Sequence, residues 1–380
     1  MIKNFEKNIL VDDLLQRIGE KLQISKTQRK LAEERYEAVG TWLSKDGDLF
    51  DGSEINIYPQ GSLSIGTTVK PLSKQEYDLD LVCEVDEPHE GKDPIDLLNT
   101  IEQRLRDNEI YKDKVERKNR CIRLNYANEF HMDILPAHPA NPRPDTCVKV
   151  PDRKAEDWKD SNPKGYTAWL NDRSIIVKQS FEVRADIEPL PNDETVERKA
   201  PLKRAVQLIK RYRDIYFEKE SDSAPISIVL TTLAGQVYEG QVSVNETITH
   251  VLNQIQVLVS KSDTRLVVLN PSNDKEDLSE RWDGKPELYQ KFVKFIRDFK
   301  ENWGELEELQ GLSEIAEKLK QMFGENVTNQ AFKEQAAHIG KSRNNKGLAV
   351  IGSGLLVAAT TEKAVAMERN TFYGEKKDSI

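Results

Sequence analysis

YPQGSLSIGTTVKPLSKQEYDLDLV, residues 58–82, places a Gly-Ser pair between two strand-like runs. Ile55, Asn56, Ile57 and Tyr58 lead into Gly61-Ser62, and a second run carries Asp78 and Asp80. Side chains two apart on a strand share a face, so these carboxylates point the same way, roughly 7 Å apart along the chain. Leu79, Leu81 and Val82 make the surrounding run apolar. Two carboxylates crowded there repel each other unless a cation sits between them. Magnesium suits that place, because it takes hard oxygen ligands and leaves room for phosphate oxygens. Taken singly, each aspartate also reads as a solvated strand residue or a loop cap.

A third carboxylate strengthens the metal reading. Cys121–Ala127 and Phe130–Leu135 read as two strands joined by a tight Asn128-Glu129 turn. Asp133 lies between Met132 and Ile134, in a stretch that otherwise looks buried. The Ile122–Leu124 strand is expected to pair with it and to lie beside the Asp78/Asp80 strand. Three aspartates on adjacent strands can hold two metal ions, one activating a ribose hydroxyl and one neutralising leaving pyrophosphate. Gly61 allows close backbone approach to a phosphate or a positive φ. Ser62 adds a hydroxyl and an amide at the start of an expected short helix, Leu63–Gly66, whose N-terminus attracts anions. The pattern points to nucleotidyl transfer.

Gly61-Ser62, Asp78-x-Asp80 and Asp133 together resemble the DNA polymerase β superfamily of nucleotidyltransferases. Within it the chain is most similar to the cGAS/DncV-like enzymes, which make cyclic oligonucleotide signals in bacterial anti-phage (CBASS) operons. Pro59-Gln60-Gly61-Ser62, Thr67-Thr68-Val69-Lys70-Pro71, Asp133-Ile134-Leu135-Pro136-Ala137 and Ser161–Tyr166 followed by Trp169 carry that likeness. The Ser62–Asp78 separation is longer than is usual there and reads as an extended connecting loop. The resemblance implies an α+β fold: a polymerase β-like core of mixed sheet and helices, plus a C-terminal helical lobe, in a bilobed molecule. It implies two Mg²⁺ ions, with Mn²⁺ as a substitute, on Asp78, Asp80 and Asp133. It also implies that a helix lysine and a serine opening the next helix grip the donor triphosphate, here Lys210 and Ser227.

The residues around those two positions read independently as helices. Pro201–Phe217 has Leu202, Ala205, Val206, Leu208, Ile209, Tyr212 and Ile215 at helical spacing, and a basic face of Lys203, Arg204, Lys210, Arg211 and Arg213. Pro225 opens another helix. Lys210 also reads as one cation of a solvated face, and Ser227 as an ordinary helix-start serine. Tyr166 and Trp169 are aromatic candidates for base stacking, with core packing the competing reading.

Composition narrows the partners. Charged residues are 32% of the chain and the formal net charge is −9, so no global basic field favours a nucleic-acid polymer and no obligatory DNA activator is expected. Cys83, Cys121 and Cys147 are widely spaced, without a Cys/His cluster. They suit a reducing cytoplasm. Met1–Leu10 lacks an apolar core, so no signal peptide is expected, and the apolar run Leu348–Ala359 is too short to span a bilayer. No membrane contact is expected; the run suits docking on a partner or on the protein itself.

Along the chain, residues 4–45 predict two helices broken near Ser25-Lys26, the second suiting the family's lobe-spanning N-terminal helix. Pro94–Asp107 predicts an amphipathic helix, Pro136–Lys164 a loop-like border to the site, and Glu287–Trp303 a helix with an aromatic stripe. The expected units are 1–195, N-terminal helices and catalytic core; 196–345, a helical lobe closing over the nucleotide pocket; and 346–380, a mobile tail. The tail is a candidate substrate for a co-encoded regulator or conjugating enzyme. The expected substrates are ribonucleoside triphosphates (ATP, GTP or pyrimidine nucleotides), joined into a cyclic di- or trinucleotide. Competing readings are another polymerase β-type transferase (linear oligonucleotide, RNA-tailing or toxin nucleotidylation) and a non-catalytic nucleotide-binding scaffold.

Overall fold

The computed structural model describes residues 2–45, 53–72, 77–126, 130–141, 145–183, 199–344, 348–350, 356–358 and 365–366. Helices α1 (Ile2–Lys21) and α2 (Lys26–Ser44) come first. The break between them falls where expected: Ser25 and Gln28 form a reciprocal capping box that satisfies the first free amides of α2. The sheet half then runs β1 (Ile55–Gln60), α3 (Gly61–Ser64), β2 (Tyr77–Val85), α4 (Pro94–Arg106), β3 (Val115–Arg117), β4 (Ile122–Tyr126), β5 (Phe130–Pro139), β6 (Val148–Asp152), β7 (Asp157–Ser161) and α5 (Pro163–Val183).

The sheet order is β1-β2-β5-β4-β3, with the β6–β7 hairpin continuing from β5. β2 and β5 are parallel; the other pairs are antiparallel. A parallel pair needs a crossover, and α4 with β3 and β4 supplies it. Asp93 caps α4 by accepting from the Ile95 amide, Pro94 fills its first turn, and Leu97, Leu98, Ile101 and Leu105 are buried. Period-two alternation then sorts β2. Tyr77, Leu79, Leu81 and Cys83 enter a core shared with α2 and α4, leaving Asp78 and Asp80 on the opposite face. Trp42 of α2 is fixed there by donating Nε1–H to the Arg104 carbonyl at 2.8 Å, with the Arg104 guanidinium 4.2 Å over its ring.

The helical half comprises α6 (Pro201–Tyr216), α7 (Ser227–Val237), α8 (Val244–Ser260), the hairpin β8 (Leu269–Asn270) and β9 (Asn273–Asp277), α9 (Pro286–Glu308), α10 (Leu312–Phe323) and α11 (Glu325–Asn344). The aromatic stripe of α9 is core: Phe292, Phe295, Phe299 and Trp303 are all buried. Leu14, Leu15, Ile18 and Leu22 of α1 join this second core. Gln335 of α11 donates to the Leu10 carbonyl at 3.1 Å and to Asp13 at 2.9 Å, tying the first helix to the last long one. The expectation that α2 spans both halves is corrected: its buried residues belong to the sheet core, whereas α1 enters the helical body.

Two further expectations are revised. Pro136–Lys164 is not mainly loop. β5 continues to Pro139 and β6–β7 follow, because Val148 and Val150 alternate inward onto Val82 and Ala137. β4 does not lie beside β2; β5 stands between them. The 346–380 segment carries β10 (Leu348–Val350), β11 (Leu356–Ala358) and β12 (Val365–Ala366), paired as an antiparallel sheet; its other residues, like the Asn128-Glu129 turn, lie outside the described set.

Candidate active site

One cleft of about 550 Å³ runs between the sheet's open face and the helical half, and Gly61, Ser62, Asp78, Asp80, Lys210 and Ser227 all line it. Gly61 follows the register pair Gln60–Asp80 at the end of β1. Its φ is +63°, and a Cβ placed on it would come within 2.2 Å of Asp80 Oδ2. Only glycine satisfies both conditions without displacing the carboxylate. The expected helix is a single turn, Gly61–Ser64, starting at the glycine itself. Ser62 Oγ lies 3.3 Å from Thr68 Oγ1, and its carbonyl accepts from the Thr67 amide at 2.9 Å, folding segment 67–71 back over the turn.

Asp80 and Asp133 are direct neighbours across the parallel β2–β5 pair. Burial first, then the Asp133 and Asp78 charges, push the Asp80 carboxyl up to about 7, against the pull of Arg123 and Lys210. Half-buried Asp80 has no hydrogen-bond partner among the described residues. Asp78 opens toward solvent with its side chain 57% exposed. Partial desolvation at the cleft floor raises its pKa as well, with Arg123 opposing and Asp133 adding to the rise.

Sequence reasoning missed Arg123. It faces Asp133 across β4–β5. Its Nε and Nη2 each meet one Asp133 oxygen at 2.7 Å, and Nη2 reaches Asp78 Oδ1 at 3.2 Å. The missed signal was register. Pairing Tyr126 with Phe130 across the turn puts residue 123 opposite 133, and alternation of Ile122, Leu124 and Tyr126 inward turns Arg123 to the aspartate face.

The three carboxylates are the hard oxygen donors a divalent cation takes. The partnerless Asp80, held toward its protonated form by its neighbours, is the position where a cation relieves most repulsion. Among the described residues no three Asp, Glu, His or Cys side chains already surround one point. The reason is visible: both Asp133 oxygens are committed to Arg123, and Asp133 does not line the cleft. Asp78 and Asp80 face the cleft, whereas Asp133 is held on Arg123 behind them.

On the facing wall, Lys210 of α6 is 5% exposed and donates Nζ–H to Thr67 Oγ1 at 2.8 Å. Burial, then repulsion from Arg213, bring its pKa down to about 7, with Asp214 and Asp80 opposing. Ser227 opens α7, and its Oγ accepts from Arg213 Nη1 at 2.5 Å. Arg213 Nε also donates to Asp214 Oδ1 at 2.8 Å. Arg213 and Asp214 line the cleft; sequence counted Arg213 only within a basic face and did not name Asp214. Tyr166 lines it too, but is buried with its hydroxyl 2.9 Å from Thr232 Oγ1, whereas Trp169 is not among the lining residues.

The far end of the cleft is closed by β8–β9 against β7. Glu276 accepts from Ser161 Oγ at 3.0 Å and from Asn270 Nδ2 at 2.6 Å, and Asn162 Nδ2 donates to the Ser272 carbonyl at 3.0 Å. Arg120 and Lys159 of the sheet half both pair with Glu280, the lysine at 3.2 Å. Sequence gave no sign of this clasp, which joins residues far apart in the chain. Among the described residues no helix is long and apolar enough to cross a membrane.

The "Second Messenger Oligonucleotide or Dinucleotide Synthetase domain" (SMODS) family matches residues 9–174. A "c-di-GMP synthase" of Roseivirga ehrenbergii is 39% identical over 370 residues, covering 96% of this chain and 97% of that protein. The "Cyclic dinucleotide synthase CdnG" of Bradyrhizobium diazoefficiens is 27% identical over 404 residues, covering 97% and 95%. A structure of the Bradyrhizobium diazoefficiens CD-NTase CdnG in complex with GTP superposes with a TM-score of 0.69, covering 86% of this chain and 99% of that one. Vibrio cholerae DncV, at 17% identity and a TM-score of 0.56, shares the fold over 86% of this chain and 84% of its own. The likeness extends over both halves that wall the cleft, and the chain belongs to the cGAS/DncV-like nucleotidyltransferases, the cyclic oligonucleotide synthases of the SMODS family.

Proposed function

We propose that this enzyme joins two molecules of GTP into a cyclic dinucleotide, releasing pyrophosphate at each of two successive transfers. The observation that carries the reading is a pair of strand carboxylates, Asp78 and Asp80, in the same cleft as the buried ammonium of Lys210. One wall wants positive charge and the other wants negative charge, which a metal-bound triphosphate brings together. Guanine as the base is supported by the near-full-length relative named c-di-GMP synthase and by the GTP-bound CdnG structure.

Gly61 and Ser62 present backbone and hydroxyl to the donor phosphates beside Asp80. Lys210, with Ser227 and Arg213 behind it, neutralises the phosphate tail and orients it for departure. Asp78, Asp80 and Asp133 are the residues that would hold Mg²⁺, or Mn²⁺ in its place, which would supply Lewis-acid activation of the attacking ribose hydroxyl and charge neutralisation on the phosphates. No dedicated side-chain base is required. The linear intermediate turns within the same cleft, and the second attack closes the ring.

Residues 1–195 serve as catalytic unit with its leading helices and 196–345 as the lobe closing on the nucleotide. We assign the reaction to the cytoplasm, where its triphosphates are, and its product to anti-phage signalling. The 346–380 tail is retained as the segment on which a co-encoded regulator or conjugating enzyme acts; unchanged association after deletion of residues 371–380 would remove that assignment. The main test is incubation with each ribonucleoside triphosphate alone and all four together, with Mg²⁺, followed by nuclease digestion and mass spectrometry. GTP alone yields a cyclic guanine dinucleotide. A linear product, or none without a second base, overturns the reading.

A further inference from the structure

Arg211 of α6 is 5% exposed, and its Nε and Nη1 have no hydrogen-bond partner among the described residues. A guanidinium stays charged and carries five donors, so leaving one buried without acceptors is costly. Arg204, two turns earlier, shows the ordinary solution. It is fully buried, but its Nε meets Gln16 Oε1 at 3.0 Å and its Nη1 meets Gln207 Oε1 at 2.7 Å.

Further cations share the surroundings of Arg211. Thr67, Thr68, Val69 and Pro71 line the nucleotide cleft, whereas Lys70 does not. Lys70 side chain has no hydrogen bond or ion pair among the described residues. Its amide donates to the Leu22 carbonyl at 2.6 Å, which sets it beside the end of α1, where Lys21 pairs with Glu334 at 2.6 Å. Burial first, then Lys21 and Arg211, hold the Lys70 ammonium below the ordinary lysine range. Asp214 acts on Arg211 in the opposite sense, but it bonds Arg213 and faces the cleft. Glu334 and Glu20 answer Lys21, but among the described residues nothing bonds the Lys70 ammonium or Arg211 Nε and Nη1.

We propose that Arg211, Lys70 and Lys21 form a second anion site, separate from the nucleotide cleft, that takes a phosphate-bearing small molecule. The guanidinium fork suits two oxygens of one phosphate, and the two ammonium groups add charge without imposing geometry. The site is linked to catalysis through one short segment. Thr67 of that segment accepts from Lys210, and the Thr68 carbonyl accepts from Gln207 Nε2 at 2.8 Å. An anion drawing on Lys70 acts on the loop that positions the phosphate-holding lysine.

The test uses the full chain, with inorganic phosphate and pyrophosphate as separate probes, read by calorimetry and by the shift in melting temperature. Wild type and Lys210→Met, the control for the nucleotide cleft, bind saturably. Arg211→Met and Lys70→Met bind about tenfold or more weakly, the loss of charge-assisted hydrogen bonds. Without anion, Arg211→Met melts no lower than wild type, because an unmatched buried charge has gone. Binding lost in Lys210→Met but kept in Arg211→Met would put the anion in the cleft and overturn the proposal. So would the absence of saturable binding of either probe to wild type, or a marked loss of stability in Arg211→Met. None of these readouts depends on turnover, so failure to make a dinucleotide is a separate result.

Discussion

The two walls of the cleft reach the same electrostatic condition from opposite sides. On the sheet wall, neighbouring carboxylates and burial carry Asp80 up to about 7. On the helical wall, burial and Arg213 carry Lys210 down to about 7. Each wall holds a group that its surroundings push toward neutrality, and under the proposed function a metal nucleotide would contribute the missing counter-charge on each side. The difference lies in how the protein copes alone: the sheet has an internal cation, Arg123, bonded to two of its three aspartates, while Lys210 makes do with Thr67.

The comparison breaks most visibly at the sheet. Asp80→Asn is expected to lower dinucleotide formation by roughly 10³-fold or more, measured as pyrophosphate release. The same change removes a stability cost. Asp80 titrates near 3.8 when unfolded and at about 7 when folded, so the folded chain binds the extra proton between those values. Stability of the metal-free protein therefore falls as pH rises from about 4 through 7. Asp80→Asn abolishes that slope and melts higher at pH 8, by about 2 °C or more. A variant melting lower at pH 8 would show that Asp80 is stabilised in place, contrary to the strained cluster described.

Gly61→Ala comes next. Its Cβ meets Asp80 Oδ2 in a left-handed backbone conformation, and displacing that carboxylate costs about 10²-fold in kcat. Near-normal kcat would mean that the carboxylate moves aside without consequence.

On the helical wall, Lys210→Met raises KM for GTP about 10–100-fold, the value of charge-assisted hydrogen bonds to phosphate. A pH signature accompanies it. Lys210 titrates near 10.5 unfolded and at about 7 folded, so the unfolded chain holds the extra proton between those values and stability rises with pH across them. At pH 8 bound phosphates restore the ammonium, so GTP binding takes up a proton in wild type. Calorimetry in buffers of different ionisation enthalpy detects this uptake, and Lys210→Met should lose it. Smallest is Glu280→Gln. It loosens the Arg120 and Lys159 pairs at the far end, both partly solvated, and shifts stability by about 1 kcal/mol or less.

Legibility followed the range of the interactions. The aspartates of β2, the hydrophobic stripe of α4 and the two-faced α6 were readable because each depends on periodicity within one segment. The break between α1 and α2 near Ser25-Lys26 was legible too, although its capping partner Gln28 was not read. Arg123 needed a strand register, one step further out. The β6–β7 hairpin was hidden by prolines that suggest loops, although Val148 and Val150 carried the alternation. What could not be read were partnerships across long separations: α1 joining the helical body, Glu280 meeting Arg120 and Lys159, and Arg211 finding no acceptor. Local composition carries no record of them.

The contact between α1 and α11 has a consequence for synthesis on the ribosome. Gln335, which grips Leu10 and Asp13, is made more than 300 residues after them. Until then the apolar face of α1 has lost one of its partners, and the body that carries Lys210 stays unfinished. A chain terminated before α11 would still bear all three aspartates and every residue that lines the cleft, but not the helix that ties α1 into the body beneath them.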